Sequence, residues 1–356
     1  MEVDRPIKVL YFTHPAAFNI FGGAEIQMMK TKRYLEKSGK CFIKLFDIFC
    51  DKLEDYDALH IFQMSPECLS LFRLAKLKGL KTVLTPIWWE PYSRGLEKFG
   101  PMAFARFYSN LKIYKMITFR ELYPFKDFLD LADIILPSSE MESMILSHRF
   151  RVNPGKFFVV YNGVDDRFAK AEPNLFVEKY GIKDFILYVG KVGKVKNLLS
   201  LLKVCREIEI PTVIIGDAQP FEKDYFMACK KIAEFSRNIH FIGSLPHDSD
   251  ELASAYAAAK VFVLPSWHEV ASLSALEAGL AGCNMVITQR SSAPEYFKNF
   301  ALYVNPASVK DIKEKILEAY AKPRTDELKQ RILNNYTWEK VAEKTMEAYK
   351  LALNKN

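Results

Sequence analysis

Residues 261–288, VFVLPSWHEVASLSALEAGLAGCNMVIT, decide the fold. The run 261–264 is short, continuously apolar and closed by Pro265, which suits a strand covered on both faces better than an alternating, half-solvated one. Residues 273–281 are mostly good helix formers, with Ser272 or Ser274 placed to cap the first turn and Gly282 placed to end it. Residues 285–288 return as the next strand. The stretch therefore reads as a buried βαβ unit of a parallel sheet, and it sets two carboxylates around the helix start: Glu269 before it and Glu277 more than a turn inside it.

That geometry carries chemistry. The backbone N–H groups after Ser272 lack helical partners and point, with the positive end of the helix dipole, at whatever docks above the sheet. A phosphate is the natural guest. One carboxylate can then meet each end of an elongated polar ligand whose phosphates lie between them, and a nucleotide-sugar has that shape. From the spacing alone, a capping Glu and a solvated helical Glu form the simpler reading; the rest of the chain decides between the two.

With 356 residues, 49% hydrophobic and 26% charged, the chain is long for a single core, and two domains are expected. The start, MEVDRPIKVLYF, has acidic residues where a signal peptide needs basic ones, and no apolar run reaches transmembrane length. The six cysteines form no CxxC pair and read as reduced core thiols, so a cytoplasmic protein is expected. A net charge of +7 is compatible with anionic ligands but too mild and dispersed to imply nucleic acid. One segment departs from that average: between residues 98 and 126, six basic residues against the single Glu121 are interleaved with eight aromatics. That mixture suits peripheral contact with a membrane surface.

Taken in order, a strand at 7–12 leads through THPAAFNIFGGAE to a helix over 24–37, and Gly22 and Gly23 suit either close backbone approach to a ligand or a plain turn. Strands follow at 42–49 and 58–62. Asp55-Tyr56-Asp57 has metal-binding spacing but leads straight into a buried strand, and Asp248-Ser249-Asp250 looks like a helix cap; both read as structural, and no metal site is expected. The strand at 81–85 ends in TPIWWEPYS, where Trp88, Trp89 and Glu90 occupy the edge at which open α/β sheets bind ligands; the indoles suit either an acceptor platform or packing. Further strands are expected at 132–137 and 157–160, before the turn Asn162-Gly163-Val164-Asp165. The second half opens with a strand at 185–189 and the loop Gly190-Lys191-Val192-Gly193-Lys194-Val195-Lys196-Asn197, a phosphate cradle without the Walker ending. Strands at 212–215 and 240–242 end in Gly216-Asp217 and Gly243-Ser244. Alternating strands and helices throughout specify an α/β protein with two doubly wound sheets.

In order and spacing these signals resemble the retaining GT-B glycosyltransferases of the large family-4 type (group 1 glycosyltransferases), over nearly the whole chain. The GGxE segment is matched by Gly22-Gly23-Ala24-Glu25, D-x-x-H by Asp57 and His60, and the NGVD segment by residues 162–165. The family's G-R-x4-K loop is matched by Gly190, Lys191 and Lys196, and its GD loop by Gly216-Asp217. Its Glu-x7-Glu signature is matched by Glu269 and Glu277, followed by Pro294-Glu295. The closing residues 336–350 resemble the family's final helix.

The resemblance implies two Rossmann-like domains facing across a cleft, residues 1–167 for the acceptor and 168–337 for the nucleotide-sugar, with the helix 338–356 crossing back to the first. It implies transfer, with retention and without a metal or other cofactor, from a UDP- or GDP-type sugar to a glycan or lipid-linked acceptor. Catalytic roles fall on Glu269, Lys191 and Lys196. Donor contacts fall on Gly22, Gly23, Gly190, Lys191, Lys196, Gly216, Ser244, Glu269, Ser272, Leu273 and Glu277; acceptor contacts on His14, His60, Trp88, Trp89 and Glu90. There are departures. Lys191 stands for the usual arginine and gives up bidentate geometry. Val270-Ala271 replace glycine-phenylalanine, and Ile87 occupies the place of a histidine that often touches the donor sugar, leaving His14, His60 and Glu90 as substitutes. The alternatives are a catalytically silent glycosyltransferase-like subunit and a GT-B nucleotide-sugar epimerase.

Overall fold

The structure, a computed structural model, describes residues 5–19, 21–88 and 124–354. The chain divides into two units, residues 1–161 with 338–356, and residues 162–337.

In the first unit the apolar runs form β1 (Ile7–Phe12), β2 (Cys41–Leu45), β3 (Ala58–Phe62), β4 (Lys81–Thr85) and β5 (Ile134–Ile135). They pair in parallel in the order β2-β1-β3-β4-β5. Every residue of β3 is buried, as a strand covered on both faces requires. The chain returns to the other side of β1 after β2, so the order reverses between β1 and β3, and the Gly23–Lys37 helix follows β1 at that point. Its capping box comes from Glu25, whose carboxylate accepts the Gly22 N–H at 2.7 Å.

The expected strand at 132–137 shrinks to two residues. The one at 157–160 is only an isolated bridge between Phe157 and Ile135, with Phe158 and Val160 donating to Ile135 and Pro137. This ladder lies beyond a two-residue edge strand, which offers too little backbone to extend it. The Trp338–Asn354 helix belongs to the first unit and packs along the Gly23–Lys37 helix.

The second unit contains β6 (Ile186–Val189), β7 (Thr212–Ile215), β8 (Ile239–Gly243), β9 (Val261–Leu264), β10 (Asn284–Thr288) and β11 (Ala301–Val304). They form one parallel sheet ordered β11-β10-β9-β6-β7-β8. In units of chain order this is the doubly wound 3-2-1-4-5-6 arrangement, and its switch point falls between β6 and β9. The unit begins at residue 162 rather than 168. Asn162 takes its N–H to the Tyr296 hydroxyl, and Val164 bonds Tyr336, which tie the NGVD turn to the second unit.

Candidate donor site at the sheet switch point

The loops that leave β6 and β9 diverge to opposite faces of the sheet, which opens a crevice at their carboxyl ends. Lys196 ends the first loop, in a short 3-10 turn (Lys194–Lys196), and Glu269 lies on the second. Lys196 Nζ sits 2.6 Å from Glu269 Oε1, with the lysine side chain 30% exposed and the glutamate 12%. Ser266 Oγ donates to the same oxygen at 2.6 Å. An ammonium has three donors, so Lys196 can hold Glu269 and a phosphate oxygen together.

The backbone around this pair is fixed by buried polar contacts. Trp267 N–H donates to the Val195 carbonyl at 2.8 Å and joins the two loops. Asn197, in the left-handed region at φ 56°, donates through Nδ2 to the carbonyls of Pro265 and Pro306 at 3.1 and 2.9 Å. One buried amide thus anchors the loops after β6, β9 and β11, and asparagine tolerates that backbone better than most residues. Glu269 N–H donates to the Arg290 carbonyl, which pins the glutamate's own loop to the one after β10.

Glycines let the neighbouring loop close in. A Cβ on Gly216, at φ 148°, would lie 2.0 Å from the Gly190 carbonyl oxygen, so the turn after β7 packs directly on the turn after β6. Val192 and Asp217 continue that contact through a 2.7 Å backbone bond. Tyr188 donates its hydroxyl to the Lys191 carbonyl at 3.0 Å and holds the lysine's backbone at the strand end. Ser244 follows β8 and is exposed.

Ser272, not Ser274, caps the Leu273–Leu280 helix, accepting the Ala275 N–H at 3.3 Å. The remaining first-turn N–H groups, with those of Ser272 and Leu273, lie at the positive end of the helix dipole. Glu277 stands about 6 Å further along the axis at 1.5 Å per residue. It is buried, with Oε1 2.7 Å from His247 Nε2 and Oε2 accepting the Tyr256 hydroxyl at 2.7 Å. Burial, and next the Glu277 charge, hold the Tyr256 phenol well above its usual range, so it remains a donor.

The structure therefore sets Gly190, Lys191, Lys196, Gly216, Glu269 and Ser272 on loops at the carboxyl edge of one sheet, with Leu273 and Glu277 in the helix that Ser272 caps. The sequence reading missed Asn197, Ser266, His247 and Tyr256. Asn197 carried a signal, an asparagine at a strand-to-helix junction; the other three meet their carboxylates only through the fold.

In the first unit the candidates separate. His14 is half-buried after β1, its Nδ1 accepting the Ala16 N–H at 3.0 Å, and Gly22 and Gly23 start the following helix. His60 is not an acceptor contact: it is 1% exposed, with Nδ1 2.7 Å from Tyr349 Oη, Nε2 2.8 Å from Thr85 Oγ1 and its ring stacked on Phe62. Trp88 is not an acceptor platform either. Its indole is buried against Phe125 and Phe150, and its backbone N–H donates to Glu142 Oε1 at 2.6 Å. A side chain of that size is stabilised by burying its apolar area against these two rings. Trp89, Glu90 and nearly all of 98–126 lie outside the described residues. Asp57 pairs with Arg5 and accepts the Lys8 N–H, and Ser249 caps the Asp250–Ala258 helix, so both Asp-x-Asp sequences have structural work. Among the described residues, no group of three His, Cys, Asp or Glu is placed to hold a metal ion, and no helix is long and apolar enough to cross a membrane.

Residues 175–338 match the family model described as "Glycosyl transferases group 1". The chain is similar to the Escherichia coli O-antigen chain mannosyltransferase B, 26% identical over 49% of this chain and 48% of that one. It is also similar to the MMP alpha-(1->4)-mannosyltransferase of Mycolicibacterium hassiacum, 26% identical over 84% and 71%. The chain spans about half the length of the first curated relatives it matches. Among solved structures it superposes on a glycosyltransferase from Rickettsia africae with a TM-score of 0.73 at 15% identity, covering 99% and 100% of the two chains. Anabaena HepE in complex with UDP gives 0.72 at 14% identity, covering 97% and 100%. These likenesses, with the two parallel sheets, make the fold GT-B.

Proposed function

We propose, for a chain whose residues 175–338 match the group 1 glycosyl transferases, that it moves a sugar from a nucleoside diphosphate to a glycan or lipid-linked acceptor with retention at the anomeric carbon. The observation that carries the reading is the Lys196–Glu269 pair across the switch point of the second sheet, beside a serine-capped helix start. At that place fixed cations and unpartnered N–H groups meet a diphosphate, while two carboxylates remain for hydroxyl groups.

The reaction follows from the charges. As the bond from the anomeric carbon to the phosphate oxygen breaks, negative charge builds on the leaving diphosphate. Lys191, Lys196 and the helix N-terminus stabilise that charge without reorganising. The acceptor oxygen bonds the same carbon on the face the phosphate leaves, and its proton passes to the departing phosphate oxygen. Glu269 holds the donor sugar and Glu277 the ribose hydroxyls. With the cationic role assigned to lysines, the reading needs no divalent metal and no other cofactor.

The relatives named mannosyltransferases support a hexose, and the UDP complex of Anabaena HepE supports a UDP-type donor. The first unit would take the acceptor, with His14 as its remaining described candidate, and the basic-aromatic segment 98–126 would contact a membrane from the cytoplasmic side. The test is a donor screen by thermal shift over UDP- and GDP-sugars, followed by transfer to an added acceptor. A stabilising donor raises the melting temperature by mass action. Absence of any such donor overturns the reading.

A further inference from the structure

His247 lies on the loop between β8 and the Asp250–Ala258 helix and meets Glu277. Its Nε2 approaches Glu277 Oε1 at 2.7 Å, while Tyr256, on the helix that this loop enters, donates Oη to Oε2 at 2.7 Å. The Glu277 side chain is 6% exposed and that of His247 21%, so the histidine is the more open of the pair. Because Nε2 faces a carboxylate, that nitrogen carries the proton. Nδ1 faces Asp248 Oδ1 at 3.3 Å. The loop itself is held by Arg167, which donates to the carbonyls of His247 and Ser249 and stacks 4.5 Å over Phe168. The imidazole therefore sits on a braced backbone beside a buried carboxylate whose other oxygen is tied from within.

We propose that His247 is a positioning residue that makes Glu277 a receptor for the vicinal diol of a ribose, and so sets preference for ribonucleotide donors. This rests on the functional reading above. Each carboxylate oxygen can accept two hydrogen bonds. His247 and Tyr256 take one on each oxygen, which fixes the plane of the group and leaves one acceptor position per oxygen. Two parallel acceptors on a rigid plane match two adjacent hydroxyls. A carboxylate held from one side alone can rotate, and the second hydroxyl then loses its partner. The cost of ordering the group is met in the folded protein rather than on binding.

The test compares UDP, GDP and ADP with their 2′,3′-dideoxy counterparts by calorimetric titration on the full chain. The wild-type protein should prefer the ribose form of the nucleotide it binds by roughly tenfold or more, the range of a hydrogen bond to a charged acceptor. His247→Ala should lose most of that preference while its affinity for the dideoxy form stays within about twofold. His247→Gln, which still offers an N–H, should recover part of it and serves if the alanine variant folds poorly. Tyr256→Phe should lower the preference in the same way. An unchanged preference in His247→Ala, or equal weakening of both forms, overturns the role of His247. A wild-type protein that binds ribose and dideoxy forms alike overturns it too. Binding of no diphosphate by the wild type instead overturns the functional reading on which it rests.

Discussion

Lys196 Nζ and Glu269 Oε1 lie 2.6 Å apart although 73 residues separate them, one on the loop after β6 and the other on the loop after β9. The contact spans the one place in the second sheet where strand order reverses, and each partner remains partly open to solvent. If Lys196 stabilises the charge that develops on the leaving phosphate, Lys196→Ala should reduce kcat by on the order of tenfold to a thousandfold. Lys191→Ala should fall in the same direction. Steady-state kinetics on both variants decide the matter, and unchanged turnover in the two would remove these lysines from the site.

Activity should persist in excess EDTA, because the reading gives the charge-stabilising role to lysines and a helix N-terminus. The assay is transfer of sugar with and without chelator, then with added magnesium or manganese. Loss that the metals restore would refute it.

Gly216→Ala would place a methyl group 2.0 Å from the Gly190 carbonyl oxygen. Neither partner can yield as a side-chain tip would, since both belong to strand-end backbone. We expect a loss of about 1–3 kcal/mol in stability, as for other overpacked sites. A weaker nucleotide affinity should accompany it, because the Gly190 turn leads into Lys191. Urea denaturation and nucleotide titration measure the two effects, and wild-type values for both would contradict the packing described.

His60 gives the first unit an acid-sensitive core. Burial lowers its pKa from 6.5 to about 3, so the folded protein keeps the ring neutral while the unfolded chain takes up a proton. The unfolded state thus binds more protons between those values, and stability must fall as pH drops through that window. Above about pH 6.5 the group contributes no pH dependence. The full effect is on the order of 5 kcal/mol at about 1.4 kcal/mol per pH unit. Denaturation midpoints measured from pH 7.5 to 4 should decline less steeply for His60→Gln than for the wild type, even if the variant starts lower. Parallel slopes would show that His60 protonates in the folded state.

The segment 98–126 should bind anionic membranes through Arg106, Lys112, Lys115 and Arg120, each worth about 1 kcal/mol near such a surface. Liposome sedimentation with and without anionic lipid, repeated after changing the four to glutamine, tests it. Equal binding by both proteins, or by neither, would leave the acceptor soluble.

The sequence by itself determined the parallel sheets, because unbroken apolar runs such as 261–264 can be buried only between two layers of helices. It also located the glycine turns and a serine cap at the start of the helix after β9, since these follow local rules of spacing and backbone geometry, but the choice of Ser272 over Ser274 came from the fold. It did not determine which polar groups meet. His247 and Tyr256 reach Glu277, Ser266 joins Lys196 at Glu269, and Asn197 gathers three loops, because strand order brings distant segments to one edge. Local spacing carries no record of that order. The same limit explains His60 and Trp88. A histidine or tryptophan at a strand end reads identically whether its side chain turns toward the ligand edge or beneath the sheet. Tyr349 on the last helix completes His60's bonds, and Phe125 and Phe150 pack against Trp88, so only tertiary packing turned both into core.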